Sequence, residues 1–221
     1  MRSISPDQLT LAVLVAAIAG MVDVVAFLAL GGFFASFMSG NSTRLAIGAT
    51  ANWLDLQLAA SLIAAFVGGV VLAAVLRHRH PARGQAVTLT LVAGLLGIAA
   101  LFANAAATWP MLLLASAMGA VNLLFEADGN IRVGLTYMSG TLVRLGQGLA
   151  DLMTRRQPAE WQKPLLLWGG FIGGGLIGVG LYARFGLPTL WLPTALAGAL
   201  ALFAWRAATS SAEQQDGAQQ H

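Results

Sequence analysis

Six long apolar runs divide this chain, at Leu9–Leu30, Leu56–Leu76, Ala86–Ala105, Pro110–Phe125, Pro164–Ala183 and Pro188–Ala204. At a rise of 1.5 Å per residue, about 20 apolar residues match the hydrocarbon thickness of a bilayer. No water is present there, so each run must satisfy its own backbone N–H and C=O groups by coiling into a helix. The alternative, a closed barrel, needs segments that alternate apolar and polar residues, and the chain has no long ones. The fold class that follows is an all-α integral membrane protein. Its 57% hydrophobic and 10% charged residues exclude an ordinary soluble domain. The formal charge of +3 comes from loop arginines, which are topology signals and no nucleic-acid footprint. Without cysteine there is no thiol nucleophile and no thiolate metal site. Leu9–Leu30 is too long for a signal peptide and contains Asp23, so we expect it to be retained as the first helix.

Two further segments, Phe33 to Thr50 and Gly134 to Met153, are apolar on average but carry a repeated motif. Phe37-Met38-Ser39-Gly40-Asn41-Ser42-Thr43-Arg44-Leu45 returns as Tyr137-Met138-Ser139-Gly140-Thr141-Leu142-Val143-Arg144-Leu145, and Gly48 and Gly148 extend the match. The duplication continues on both sides. Gly20-Met21-Val22-Asp23 matches Gly119-Ala120-Val121-Asn122, and Phe66-Val67-Gly68-Gly69 matches Phe171-Ile172-Gly173-Gly174. On that register the ridge Ala65, Gly69, Ala73 corresponds to Gly170, Gly174, Gly178, small-residue faces that let helix backbones approach closely in lipid. The register requires an insertion of about five residues between Gly148 and Phe171, which a loop tolerates. Residues 1–107 form one repeat and 108–209 the second, each a spanning helix, a motif segment and two more spanning helices. An odd number of spans reverses orientation on duplication, so the two repeats are expected to be inverted. The Gln-, Ser- and Ala-rich residues 210–221 are expected to be a disordered cytoplasmic tail.

The positive-inside rule bears on whether the motif segments cross. If both do, Arg77, Arg79, Arg83, Arg132 and Arg184 face Arg2, Arg155, Arg156, Lys163 and Arg206, a tie. If neither crosses completely, all but Arg184 gather on one side. That bias favours six full spans with both termini in the cytoplasm, and two broken or re-entrant motif segments. Trp109, Trp161, Trp168, Trp191 and Trp205 lie near expected helix ends, where indole rings favour the headgroup region.

Ionisable side chains at membrane depth cost about 2.5–3.5 kcal/mol on insertion scales and so demand a partner or a function. Asp23, Arg44 and Arg144 qualify, and Asn122 is the neutral counterpart of Asp23. We expect Asp23 to pair with one of the arginines. In each motif the glycine permits a break, and the following helix offers N–H groups at its positive end. The hydroxyl and amide side chains can satisfy the freed backbone. The candidate binding residues are therefore Asp23, Ser39, Gly40, Asn41, Arg44, Asn122, Tyr137, Ser139, Gly140, Thr141 and Arg144, as an anion pocket where the two breaks meet. Plain helix capping and packing is the competing reading. No catalytic constellation stands out, since the histidines lie in a loop and the tail. His78 and His80 lack the further ligands a metal site needs. An enzyme, a cofactor and a metal are not expected.

The pattern Gly20-x-x-Asp23, Gly31-Gly32-x-Phe34-x-Ser36-x-Met38-Ser39-Gly40-Asn41, Met118-Gly119-x-x-Asn122 and Thr136-Tyr137-x-x-Gly140-Thr141-Leu142 resembles the YoaK-like family of bacterial inner-membrane proteins, a domain-of-unknown-function family. The resemblance runs from the first helix to Trp205, and Val121 stands where the family often has Gln. It implies a multi-pass protein of the bacterial inner membrane and no substrate. The residues add the expectation of a small secondary transporter or channel for a small anion or polar metabolite, working between the repeats. The alternative is a non-transporting membrane interaction or signalling protein with a duplicated structural core. Expected partners are membrane lipid and a small-molecule or ion ligand, with a homodimer permitted and no nucleic acid.

Overall fold

The computed structural model describes residues 5–103, 108–127, 130–131, 136, 138–154 and 161–218, with backbone only for 126–127, 130–131 and 210–218. Eight α-helices follow one another among these residues: α1 (Pro6–Ala29), α2 (Met38–Ala51), α3 (Trp53–Arg79), α4 (Gly84–Phe102), α5 (Trp109–Val121), α6 (Met138–Met153), α7 (Gln162–Phe185) and α8 (Trp191–Ala218). Short 3₁₀ turns at Pro81–Arg83 and Leu187–Leu190 lead into α4 and α8. A two-residue pair, β1 (Glu126–Ala127) with β2 (Asn130–Ile131), lies between α5 and α6.

Local chemistry sets several ends. α1 starts with a capping box in which the Ser5 hydroxyl accepts from the Gln8 amide at 3.2 Å and the Gln8 side chain accepts from the Ser5 amide at 3.3 Å. α3 begins where Asn52 caps Leu54 at 3.0 Å, and its last turn carries Arg77 and Arg79, cations suited to the negative end of the helix dipole. α7 stops at Gly186, whose φ of 66° is open to glycine.

Among the described residues five helices are long and apolar enough to cross a membrane: α1, α3, α4, α7 and α8, those of α4 and α8 counted with the 3₁₀ turns before them. The sequence suggested six. The sixth, expected over Pro110–Phe125, is an apolar helix that ends at Val121, and its 13 residues span about 20 Å. Leu123, Leu124 and Phe125 continue as buried turns. The motif segments are short helices of 14 and 16 residues, about 21 and 24 Å long, and neither meets the length and hydropathy of a crossing. A second difference lies at the C-terminus, where α8 runs to Ala218, well past the Ser210 at which the sequence suggested a disordered tail.

The repeats pack by exchange. α1 lies along α7 and α5 lies along α3, while α4 pairs with α8. The first two pairs each join the first helix of one repeat to the helix that follows the motif helix of the other, and corresponding glycines make both contacts. A β-carbon on Gly20 would land on the Phe171 carbonyl, and one on Gly119 would land on the Phe66 carbonyl. From the other side, Gly174 abuts the Ala17 backbone and Gly69 the Ser116 backbone. α1 and α5 are the inner helices, and their side chains fill the core with Leu89, Val92 and Leu96 of α4.

Candidate functional site

The motifs stand at helix starts rather than at breaks within helices. Met38, Ser39 and Gly40 make the first turn of α2, and Met138, Ser139 and Gly140 that of α6. The break in the first repeat comes earlier, in the connector Leu30–Phe37. Gly31 and Gly32, with φ of 66° and 103°, turn the chain back, and the Gly32 amide donates to the Phe27 carbonyl at 2.8 Å. Phe33 and Ala35 then enter the core.

Two side chains clasp this connector. Asp23, 6% exposed, accepts from the Ser36 amide at 2.7 Å and from the Ser36 hydroxyl at 2.8 Å. Asn41, fully buried, accepts from the Phe34 amide at 3.0 Å and donates to the Phe34 carbonyl at 2.7 Å. An extended connector inside the protein carries backbone groups that no helix or sheet satisfies, and these clasps satisfy the groups of Phe34 and Ser36. Ion pairing was expected for Asp23. Instead both carboxylate oxygens are engaged by Ser36, and neither Arg44 nor Arg144 forms an ion pair with it.

Arg44 reaches back over the same connector. Its Cζ lies 4.7 Å from the centre of the Phe33 ring, and its Nη2 occupies the space a β-carbon on Gly32 would fill. Outward of it an open cleft of about 500 Å³ is lined by Phe37, Gly40, Thr43, Arg44, Ile47 and Asp55. The cleft offers one cation and one carboxylate. Ser39 is exposed at its helix start.

The second repeat reproduces the first clasp with an amide. Asn122 accepts from the Thr136 hydroxyl at 3.0 Å and amide at 3.4 Å, and donates to the Met118 carbonyl at 2.9 Å. Thr141 is buried at the position of Asn41, whereas Ser139 and Arg144 are exposed and Gly140 is half-buried. Tyr137, Arg132, Arg155, Arg156 and Gln157 lie outside the described residues. Ser36 and Thr136 were missed as functional candidates, although both stand in the family pattern, 13 residues after Asp23 and 14 after Asn122.

The two motif helices do not meet. α2 packs on α3, and α6 packs on α7, with no contact between α2 and α6. Glycines hold them there: Gly48 lies against the Asp55–Leu56 backbone and Gly148 against Trp161. The candidate residues therefore form two separate sets, and a single pocket built from both Ser-Gly motifs is not what the fold assembles.

Residues 11–203 match a family described as "Protein of unknown function (DUF1275)". The chain belongs to that family. It is also 33% identical over 198 residues to UPF0700 transmembrane protein RA0705 of Rhizobium meliloti (strain 1021), covering 87% of this chain and 84% of that one. No solved structure matches. With this relative and the apolar helices together, the DUF1275 chain is a multi-pass membrane protein.

Proposed function

We propose that this protein is a small secondary transporter or channel of the bacterial inner membrane, taking a small anion or polar metabolite. The reading puts both termini in the cytoplasm, supported by the arginine distribution that six crossings would give. The observation that carries the reading is the exchange of helices between repeats. α1 with α7, and α5 with α3, are two equivalent bodies joined by backbone-to-backbone glycine contacts, and each body has one polar clasp at its inner helix. Two such bodies, if inverted, can rock against each other, the motion by which repeat-built transporters expose a site alternately to each side. Asp23, Ser36, Asn122 and Thr136 supply polar groups at depth in a mostly apolar core, where a ligand could exchange for a clasp partner. Arg44 adds an anion-attracting charge at the edge of one connector. The reading assigns no catalysis and no cofactor.

A second reading has its own support. Because α2 and α6 stand apart, the repeated motifs serve packing equally well, and the protein would then be a membrane interaction or signalling component. Purified protein in liposomes separates the two. Saturable flux of members of a panel of small anions and polar metabolites, matched by ligand-dependent thermal stabilisation, is the expected result. Absence of both across the panel would overturn the transport reading.

A further inference from the structure

The corner where α3 ends, α4 begins and α8 passes is strongly basic. Arg77 and Arg79 end α3, Arg83 closes the following 3₁₀ turn, and Arg206 follows Trp205 on α8. That 3₁₀ turn touches α3, α4 and α8 alike, so the three segments converge there. The stretch from Leu56 to Phe125, which carries Arg79 and Arg83, contains no Asp or Glu, and the first acidic residue on α8 is Glu213, seven residues past Arg206.

Their placement is built rather than incidental. The Trp205 indole N–H donates to the Thr90 hydroxyl at 3.0 Å, and Thr90 in turn donates to the Ala86 carbonyl at 2.8 Å. This fixes the indole across α4, and Arg83 stacks over it with Cζ 5.3 Å from the ring. Arg77 lies along Gly84, its Cζ and Nη1 each 3.5 Å from the place of a β-carbon there. Below this charged rim the surface turns apolar. Gly94, one turn beyond Thr90 on the same exposed side of α4, has no atom within 4 Å of where a β-carbon would stand. Leu72 and Val75 on α3, and Leu202 and Phe203 on α8, are exposed at the same end.

We infer that this corner is a binding site for an anionic phospholipid. Arg79, Arg83 and Arg206 meet the phosphate, Trp205 lies at headgroup depth, and the apolar surface along Gly94 receives an acyl chain. Basic pockets between membrane helices bind such headgroups, and arginine suits phosphate through its forked donors. The adjoining apolar surface is what selects a lipid over free phosphate. This site is independent of the transport reading, and it stands or falls on binding alone.

The test compares thermal stability of the full chain in neutral detergent with added phosphatidylglycerol, phosphatidylcholine or inorganic phosphate. Native mass spectrometry identifies retained lipid. Phosphatidylglycerol should raise Tm more than phosphatidylcholine and remain bound. Arg83→Gln with Arg206→Gln should lower the increment by roughly 2–4 °C per arginine. Arg184→Gln, which removes one charge in the last turn of α7, should leave the increment intact, in contrast to Arg206→Gln alone. If the double variant does not fold, Arg206→Gln alone decides, because Arg206 is exposed. Equal increments from both lipids, an increment that survives the arginine changes, or an equal shift from inorganic phosphate would overturn the proposal.

Discussion

The first and second repeats solve one problem with different chemistry. In the first, α1 runs on from Asp23 to Ala29, and a carboxylate holds Ser36 through two oxygens. In the second, α5 ends at Val121, and an amide holds Thr136 through one oxygen. The helix end explains the amide. The Asn122 N–H turns to the Gly119 carbonyl at 3.3 Å, which removes the usual backbone partner of the Met118 carbonyl. The Asn122 side-chain amide donates to that carbonyl instead. A carboxylate has no proton to offer there, whereas inside the continuous α1 no carbonyl is released and a pure acceptor suffices. Duplicated positions thus keep a contact while diverging in the residue that makes it.

The largest effect should come from the feature the repeats share most closely. Gly20→Ala and Gly119→Ala each drive a methyl into a carbonyl of the opposing helix, which cannot swing aside as a side chain can. Each should cost about 3 kcal/mol, the upper end of ordinary overpacking. Thermal unfolding in detergent measures this. Equal losses would show that α1 with α7 and α5 with α3 are equivalent bodies, and a loss at one position only would break the equivalence.

The clasps come next, and here the repeats should differ. Asp23→Asn can keep both contacts, its oxygen accepting from the Ser36 amide and its nitrogen donating to the Ser36 hydroxyl, so we expect a loss under about 1 kcal/mol. Asn122→Asp leaves the Met118 carbonyl facing a carboxylate and should cost about 2 kcal/mol or more, since a buried group is left unsatisfied and a charge is added. If the two exchanges cost the same, the helix end is not what selects the amide.

Much of this arrangement was legible in the sequence. The apolar runs located the long helices, and the register that paired Gly20 with Gly119 and Gly69 with Gly174 identified the residues at which the helices touch. Periodicity and length carry that information because close packing in lipid has so few solutions. The end of α5 was not legible. Leu123, Leu124 and Phe125 are as apolar as the helix before them, and only the tertiary bonds of Asn122 and the β1–β2 pair show where coiling stops. The partner of Asp23 was misread for a related reason. Charge suggested an arginine, but a largely apolar connector folded into the core offered the Ser36 amide and hydroxyl as donors at 2.7 and 2.8 Å.

That correction has a measurable form. Asp23→Asn and Arg44→Gln should be additive to within about 0.5 kcal/mol, because the two side chains share no bond. Arg44→Gln alone should lose about 1 kcal/mol through its contact with the Phe33 ring. A double variant distinctly more stable than the sum would reveal an ion pair and restore the charge-pairing idea.

The smallest effect on stability is expected at Gly40, the motif glycine of the first repeat. A β-carbon there meets the rings of Phe37 and Phe34, and Phe37 is 42% exposed and can rotate away. We expect Gly40→Ala to cost less than about 1 kcal/mol, against the larger losses where a methyl would strike backbone. Gly40 nevertheless lines the cleft beside Arg44, so its methyl narrows the space a ligand would enter. Flux and thermal stability measured on one preparation distinguish the two roles. If flux falls severalfold while Tm holds, the cleft of the first repeat belongs to the ligand path. If Tm and flux are both unchanged, the Ser-Gly motif is a helix start and the path must run along the clasps of Asp23 and Asn122.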